Sequence, residues 1–242
     1  EKPKGRSPGG TNQKFSKVPN TPVVELHHVS FSYPPSLENK TAGVVLNDIS
    51  FVVSPGEIHG IFGPSGSGKT TIIDIVAGLY QPTSGNVKAF GQDLTGIDLQ
   101  QWRSCIGYVQ QDPVLFNETI RENIRIGREE ITDEAIISAL KTAMIPELVS
   151  LDGDGLATII QEGGANLSGG QIRRLAIARA IVTQPDLVIL DETGSSFEET
   201  MERQIIENLS KEIGAAIIVI SHRASTHEWI DHSMRLGSLT SD

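Results

Sequence analysis

Short, largely apolar runs recur along the chain and predict buried strands. They are Ile58 to Phe62, Ile106 to Val109, Leu187 to Leu190 and Ala216 to Ile220. The last two are apolar throughout, as in parallel strands that are covered on both faces. Residues 199–213 lie between these two runs and carry apolar side chains at helical spacing. This order of strand, helix and strand predicts an α/β fold with a parallel sheet.

Two further kinds of pattern accompany this core. Near the N-terminus, segments of alternating polarity predict antiparallel strands. They are Val23 to Tyr33, Val44 to Leu46, Ile49 to Val53 and Asn86 to Phe90. From Val114 to about Met144 the spacing of apolar residues is helical instead. We therefore expect an N-terminal antiparallel β subdomain and an inserted α-helical subdomain at about residues 113–180.

A glycine-rich loop follows the strand candidate that ends at Phe62. It matches G-x-x-x-x-G-K-[ST], the pattern of the loop that binds nucleotide phosphates. Its residues are Gly63, Pro64, Ser65, Gly66, Ser67, Gly68, Lys69 and Thr70. After it, apolar residues recur at the spacing of one helical face. They are Ile72, Ile75, Val76 and Leu79, so strand, loop and helix predict a P-loop NTPase core.

Each position of the loop has a chemical reason. The glycines allow consecutive backbone N–H groups to turn toward an anion, and the positive end of the following helix points at the same place. Lys69 is expected to reach the β and γ phosphates, and the hydroxyl of Thr70 to bind Mg²⁺. The alternative is a simple turn between strand and helix, which does not require Lys69 and Thr70 in register.

A pair of carboxylates, Asp191 and Glu192, follows the strand candidate Leu187 to Leu190. The carboxyl ends of parallel strands line the crevice in which open α/β sheets bind ligands. Asp191 is therefore suited to hold Mg²⁺, and Glu192 to polarise an attacking water. The alternative is an acidic pair that complements the dipole of the next helix.

A second candidate receptor for phosphate precedes the helical stretch Ile172 to Ala180. Its residues are Leu167, Ser168, Gly169, Gly170 and Gln171. Ser168 and Gln171 have the S-x-x-Q spacing of a capping box, which is a sufficient structural explanation. A serine hydroxyl with two glycine amides at a helix N-terminus is also an anion receptor. Two receptors with a single phosphate loop indicate a composite site.

Composition narrows the class of protein. The 242 residues are 38% hydrophobic, and no apolar run approaches the roughly eighteen residues of a membrane span. The formal charge is −10, although residues 1–20 carry five basic side chains against Glu1 alone. The acidic remainder argues against a nucleic-acid partner. Cys105 is the only cysteine, which excludes an internal disulfide and fits a reducing compartment.

The N-terminal segment differs from the rest of the chain. Residues 1–20 are rich in Pro, Gly, Ser, Asn and Lys and offer almost nothing to bury. We predict a flexible linker there. A single domain is expected to follow from residue 21 to residue 242.

The segment from Leu167 to Gln171 is identical to the signature sequence of ABC proteins, and it ends twenty residues before Asp191. Together with the phosphate loop, this order of motifs resembles the nucleotide-binding (ATPase) domain of ABC transporters over roughly residues 23–235. The resemblance implies ATP and Mg²⁺ as cofactors and a head-to-tail dimer of two such domains. Each ATP would lie between the phosphate loop of one domain and the signature of the other.

The resemblance also implies roles for single residues. Tyr33 matches the aromatic residue that stacks on adenine, and Thr71 extends the phosphate-binding segment. Gln111, with Gln110 as the adjacent register, matches the glutamine that senses Mg²⁺ and the transport domain. The metal ligands implied are Thr70, Gln111 and Asp191. The catalytic residues implied are Lys69, the base Glu192 and the switch histidine His222.

Two further segments, residues 113–124 and 162–166, resemble the exporter type of this domain. Within the second, Gly163 stands where the family usually has arginine. The largest departure follows the carboxylate pair, where the family commonly has Ser-Ala-Leu-Asp. Here the residues are Ser195, Ser196, Phe197 and Glu198. Communication across the dimer is expected to differ at this segment.

We therefore expect an ATP-hydrolysing motor domain of an ABC exporter, placed at the cytoplasmic face of a membrane. The implied partners are a second nucleotide-binding domain, identical or different, and a transmembrane domain fused on the N-terminal side. One alternative is an ATPase subunit of an importer, and another is a soluble ABC ATPase acting in DNA repair or translation. The chain does not encode the transported substrate.

Overall fold

The computed structural model describes residues 15–34, 43–150, 154–192, 199–221 and 223–237. These residues form two compact units. Of the described residues, the first unit contains those up to Ser54, Gly63–Ser104, Leu236 and Gly237, and the second contains Pro55–Phe62 and those between Cys105 and Arg235. The glycine-rich loop belongs to the first unit, and the carboxylate pair and the signature belong to the second.

Nine strands and six α-helices lie within the described residues. The strands are β1 (Val24–Ser32), β2 (Val44–Val53), β3 (Ile58–Phe62), β4 (Ser84–Ala89), β5 (Gln92–Asp93), β6 (Ile106–Val109), β7 (Leu187–Asp191), β8 (Ala216–Ile220) and β9 (His232–Arg235). The α-helices are α1 (Lys69–Val76), α2 (Leu99–Ser104), α3 (Ile120–Arg125), α4 (Asp133–Thr142), α5 (Gly169–Ile181) and α6 (Glu199–Asn208). A π-helical turn, Leu209–Ile213, continues α6. Short 3-10 turns lie at Leu94–Gly96, Pro146–Ser150, Gly155–Ala157, Glu162–Gly164 and Ala224–Glu228.

The sheet of the first unit has four antiparallel strands in the order β2-β1-β4-β5. The two short segments predicted around residues 44–46 and 49–53 are one continuous strand, β2. Strand β1 alternates between buried and less buried residues, but the alternation shifts at His28, whose φ is +51°. Leu26 and Val29, three residues apart, are consequently both buried, as expected at a β-bulge.

Helix α1 follows the glycine-rich loop and buries one face. Ile72, Ile75 and Val76 are fully buried, as their spacing predicts. The helix ends at Val76, and Gly78, with φ +68°, turns the chain away. Leu79, the next position of the predicted face, therefore lies outside the helix and is exposed.

Aromatic side chains pack around α2 in the same unit. Trp102 is fully buried, and its indole N–H donates to the carbonyl oxygen of Val76 at 2.8 Å. The ring of Phe15 lies 5.9 Å from that of Phe90 and 6.1 Å from that of Trp102. Residue 15 is thereby attached to the first unit, while residues 1–14 of the predicted linker lie outside the described residues.

The second unit contains a five-stranded parallel sheet in the order β6-β7-β8-β3-β9. The four apolar runs of the sequence form β3, β6, β7 and β8 within one residue of their predicted bounds. Every residue of β3 and β8 is buried, as in central parallel strands. Because the strands are parallel, their carboxyl ends share one edge of the sheet. Phe62, Val109, Asp191 and Ile220 end four of the strands there.

Helices α3 and α4 occupy the region from residue 114 to residue 144 that the sequence predicts as helical. Each begins at a threonine: Thr119 accepts a hydrogen bond from the N–H of Glu122, and Thr132 from the N–H of Ala135. Ile126, with φ +45°, ends α3. The predicted continuous pattern is thus interrupted by a left-handed residue.

The apolar core of the second unit joins its sheet to its helices. Fully buried members from α3 and α4 include Ile120, Ile124, Ile136 and Leu140. A parallel sheet with helices and a separate antiparallel sheet confirm the predicted α/β architecture. Among the described helices, none combines the length and apolar character needed to cross a membrane.

Candidate functional site

The glycine-rich loop joins β3 to α1 and places its last glycine at the start of the helix. Gly68 has φ +95° and is the N-cap of α1. A Cβ atom there would lie 2.8 Å from Leu46 Cδ2 and 3.0 Å from the carbonyl oxygen of Val45. The loop backbone is therefore held close to β2. The N–H groups of the first turn, which have no intrahelical partner, form the positive end of α1.

Two polar side chains of the loop are buried. Lys69 is 6% exposed, and its ammonium group donates to the carbonyl oxygens of Gly63 at 3.0 Å and Pro64 at 2.9 Å. Ser67 is 4% exposed, and its hydroxyl has no hydrogen-bond partner among the described residues. Buried polar groups are normally satisfied, and a phosphate at a helix N-terminus would satisfy this hydroxyl. The loop therefore fits the phosphates of a nucleotide.

Tyr33, predicted to stack on adenine, belongs to the same unit as the loop. Its hydroxyl lies 3.0 Å from Oγ1 of Thr71, which is buried in the first turn of α1. The rings of Phe31 and Tyr80 meet the Tyr33 ring edge-on, with centroid distances of 5.0 and 5.6 Å. Tyr33 is still 39% exposed, which suits a ring that receives another planar ring. Its role toward adenine stays a prediction.

The signature opens α5 with a complete capping box. Ser168 Oγ accepts a hydrogen bond from the N–H of Gln171 at 3.2 Å, and Gln171 Oε1 accepts one from the N–H of Ser168 at 2.9 Å. The structural interpretation of this motif is confirmed. The N–H groups of Gly169 and Gly170 make no hydrogen bond with any described residue. The cap thus leaves two donors at the helix N-terminus for an anion.

Asp191 and Glu192 lie at the carboxyl end of β7. The hydroxyl of Tyr108 on β6 donates to Asp191 Oδ2 at 3.0 Å. The side-chain amide of Gln111 donates from Nε2 to Glu192 Oε2 at 2.7 Å. The structure therefore brings Gln111 to the predicted base. Tyr108 was missed from the sequence, where it is one residue of a strand pattern and nothing marks its hydroxyl.

Arg173 is a second site residue that was not predicted from the sequence. Its guanidinium donates to the carbonyl oxygens of Glu192 and Gln111, each at 2.6 Å. A signal was present, because Arg173 has the i, i+3, i+4 spacing that places it on one helix face with Ala176 and Ile177, both buried. An arginine at the start of an apolar face has to find its partners inside the protein.

Two predicted features lie outside the residues that the structure describes. They are His222 and the segment 195–198. On the C-terminal side of His222, the N–H of Arg223 donates to Ser221 Oγ at 3.1 Å, and its guanidinium donates to Glu202 Oε2 at 3.2 Å. Burial raises the pKa of the Glu202 carboxyl, and Arg223 opposes that shift. Arg223 is thereby tied to α6.

The predicted metal ligands have suitable chemistry. Mg²⁺ takes hard oxygen ligands, above all carboxylates. Asp191 offers a carboxylate, Thr70 a hydroxyl and Gln111 an amide oxygen. Thr70 is exposed in the first turn of α1, and Asp191 is half-buried at the end of β7. The residue types fit the metal, and their coordination of Mg²⁺ stays a prediction.

A phosphate loop between a strand and a helix, with a carboxylate pair at the end of a parallel strand, defines a P-loop nucleotide-binding protein. The family model described as ABC transporter matches residues 46–195. The chain belongs to the ABC transporter family, and it is the ATP-binding ATPase domain of that family. The resemblance carried by the signature is confirmed.

Two relatives and one solved structure show the range of the similarity. The ATP-dependent lipid A-core flippase of Burkholderia pseudomallei (strain 1710b) is 39% identical over 234 residues, which cover 96% of this chain and 38% of the flippase. The mitochondrial potassium channel ATP-binding subunit of Homo sapiens is 41% identical over 207 residues, which cover 84% of this chain and 27% of that protein. The structure of a bacterial Atm1-family ABC exporter with ATP bound has a TM-score of 0.77 and 32% identity, over 93% of this chain and 40% of that chain. This chain therefore spans less than half the length of these proteins.

Proposed function

We propose that this chain is the motor domain of an ABC exporter, which hydrolyses ATP to drive a substrate across a membrane. The observation that carries the proposal is the similarity to an ABC exporter with ATP bound, at 32% identity over 93% of this chain. The relative named as a lipid A-core flippase supports the same class at 39% identity. The motor domain corresponds to residues 21–242, after a linker.

The phosphate loop binds the nucleotide through the N–H groups at the start of α1 and through Lys69. An ammonium group has three N–H donors, and the carbonyls of Gly63 and Pro64 account for two of them. As negative charge develops on the γ-phosphate oxygens, this buried cation stabilises it. Mg²⁺, when bound, supplies further positive charge at the β and γ phosphates.

Glu192 is the proposed base. Its carboxylate accepts a hydrogen bond from Gln111 at 2.7 Å, so its orientation is fixed within the protein. As the attacking water bonds to the γ-phosphorus, the carboxylate takes a proton from that water, and ADP leaves with the electrons of the broken P–O bond. His222 is proposed to contact the γ-phosphate.

Two such domains form the proposed catalytic unit. Ser168, Gly169 and Gly170 of one domain bind the nucleotide held by the phosphate loop of the other, through the donors that the cap leaves available. The second domain is another copy or a related chain. A transmembrane domain on the N-terminal side is the proposed receiver of the motion, at the cytoplasmic face of its membrane. The greater length of the relatives, of which this chain covers 38% in the flippase, supports such a partner.

The proposal is tested by Glu192→Gln in the complete protein. An amide cannot accept the proton from water, so we expect phosphate release to fall by at least about 10²-fold. ATP binding, measured by equilibrium titration, should remain, and an ATP-dependent dimer should accumulate. Glu134→Gln, at an exposed position on α4, is the matched control and should keep full turnover.

Two outcomes would overturn the proposal. Wild-type turnover by Glu192→Gln would remove the assigned base. A wild-type protein that binds ATP and dimerises but releases no phosphate would instead be a nucleotide-gated binding module.

A further inference from the structure

A single guanidinium joins the two segments that carry the proposed base and its glutamine. Arg173 lies in the second turn of α5, five residues after Ser168, and is only 7% exposed. Its Nη1 donates to the carbonyl oxygen of Glu192 and its Nη2 to that of Gln111, both at 2.6 Å. These are short, charge-assisted hydrogen bonds from two ends of one planar group.

The backbone of Glu192 is in a conformation that needs such support. Its φ is +50°, in the left-handed region that a residue with a Cβ atom adopts only when its surroundings impose it. The N–H of Glu192 donates to the carbonyl oxygen of Ile220 at 3.0 Å, and the carbonyl accepts from Arg173. The peptide groups on both sides of Glu192 are therefore held, one by β8 and one by α5.

The side chain of Glu192 depends on the same arginine through Gln111. Gln111 donates to Glu192 Oε2 at 2.7 Å, while its own carbonyl is bound by Arg173. Loss of the guanidinium would remove one main-chain hydrogen bond from each of the two segments at once. The carboxylate of Glu192 would then lose the position that its backbone and its hydrogen-bond donor now define.

Burial of the Arg173 charge costs free energy, and this argues against a purely stabilising role for the side chain. A guanidinium removed from water needs compensation, and two neutral carbonyls supply only part of it. One carboxylate that interacts with it electrostatically, Glu202, is itself buried and pairs with Arg223 at 3.2 Å. The clearest effect of Arg173 is therefore geometric, since it fixes two loops relative to one helix.

We infer that Arg173 is a positioning residue for ATP hydrolysis: it holds Glu192 and Gln111 from the helix that begins at the signature, and so sets the place of the base. The inference rests on the proposed function, because it concerns the same base. It also connects the signature, proposed to bind the nucleotide of a second domain, with the base of its own chain through one rigid helix. A displacement of α5 is thereby transmitted to Glu192.

The test compares Arg173→Met and Arg173→Lys in the complete protein. Methionine keeps much of the side-chain length but has no N–H donor. We expect kcat to fall about 10²-fold with the KM for ATP unchanged, because a base misplaced by about 1 Å has an effect of this size. Lysine keeps the charge and restores one of the two hydrogen bonds, so it should recover part of kcat.

Arg174→Met is the matched control on the same helix. Arg174 donates to Met201 Sδ at 2.9 Å and to Glu147 Oε1 at 3.2 Å, and these contacts do not involve the base. This variant should therefore keep the wild-type kcat. Equal kcat values for Arg173→Met and Arg174→Met would overturn the inference.

A double variant separates positioning from loss of folded protein. In the Glu192→Gln background, Arg173→Met should lower residual hydrolysis by a clearly smaller factor than in the wild type, because the base has been removed and only the contact with Gln111 is left to lose. A merely structural effect would lower hydrolysis by the same factor in both backgrounds, and this would contradict the inference. If Arg173→Met does not fold, Arg173→Lys is carried into the same comparison. Wild-type turnover by Glu192→Gln alone would instead refute the proposed function.

Discussion

His59 is a buried titratable residue on β3, where it is the second residue of the strand. It is 5% exposed and pairs in register with His232 on β9, with ring centroids 6.4 Å apart. Burial, and to a smaller extent His232, lowers the pKa of His59 from 6.5 to about 4, against an opposing effect of Glu57. Between these two pH values the unfolded chain binds a proton that the folded protein excludes.

The stability that depends on His59 should therefore be lost on acidification. This contribution is fully present above pH 6.5 and falls as the pH drops toward 4. The loss of unfolding free energy between pH 7 and pH 5 amounts to about 2 kcal/mol. His59→Leu removes the proton uptake while keeping an apolar filling of the site. Chemical denaturation at pH 7 and at pH 5 should show that the variant loses less free energy of unfolding on acidification than the wild type, by about this amount. Parallel pH profiles for the two proteins would contradict the prediction.

At the scale of elements, the start of α1 shows how a helix and a strand fix the phosphate loop together. Gly68 caps the helix with φ +95°, and β2 passes so close that a Cβ atom would meet Leu46 and Val45. The conformation and the close approach both require glycine. The position of the loop therefore depends on β2 as well as on the motif itself.

Gly68→Ala tests this dependence. The added methyl group is strained by the positive φ and contacts Leu46 Cδ2 at 2.8 Å, so we expect the free energy of unfolding to fall by about 2 kcal/mol. ATP binding should weaken with it. Gly96→Ala is the control in the same unit, since a Cβ there meets nothing within 4 Å, and it should change stability by less than about 0.5 kcal/mol. Thermal unfolding and nucleotide titration measure both effects, and equal stability of the two variants would refute the packing argument.

Elements with a strong local signal could be predicted from the sequence. The apolar runs became β3, β6, β7 and β8 because buried parallel strands need no polar alternation. The spacing of Ser168 and Gln171 predicted the capping box because both hydrogen bonds lie within one turn. The phosphate loop was recognisable because its chemistry depends on consecutive backbone groups.

Features that depend on distant partners could not be predicted in this way. Tyr108 and Asp191 are 83 residues apart in sequence, and Arg173 and Gln111 are 62 apart, so only the fold brings them together. The bulge at His28 is a shift in the register of β1 against both of its neighbours, β2 and β4, so it involves strands that are distant in sequence. The interruption after α3 depends on Ile126 in a left-handed conformation, which its residue type disfavours.

At the scale of the whole molecule, the chain carries two separate phosphate receptors, one in each compact unit. The glycine-rich loop has a buried ammonium and a buried hydroxyl, whereas the signature offers the N–H groups of Gly169 and Gly170. In the proposed dimer these receptors serve different nucleotides. The phosphate loop should then bind ATP without the signature, but hydrolysis should need both.

Ser168→Asp separates the two functions. Aspartate caps a helix about as well as serine, so thermal unfolding should be unchanged, and ATP should still bind to the phosphate loop. Its negative charge opposes the phosphate of the second domain's nucleotide, and we expect turnover to fall by about 10²-fold or more. Ser168→Thr keeps the hydroxyl and should stay close to wild type. Full turnover by Ser168→Asp would mean that one domain forms a complete site.

The capping box has a kinetic consequence for assembly. A hydroxyl has one proton and two lone pairs, and Ser168 uses a lone pair to accept from Gln171. The hydroxyl proton of Ser168 remains available for donation to an acceptor. The capping hydrogen bond already restricts the orientation of the Ser168 oxygen. The entropy of ordering this segment is therefore lost during folding rather than at the moment two domains meet. We expect the rate of closure to be limited by the encounter of the two surfaces, with no slow rearrangement of α5.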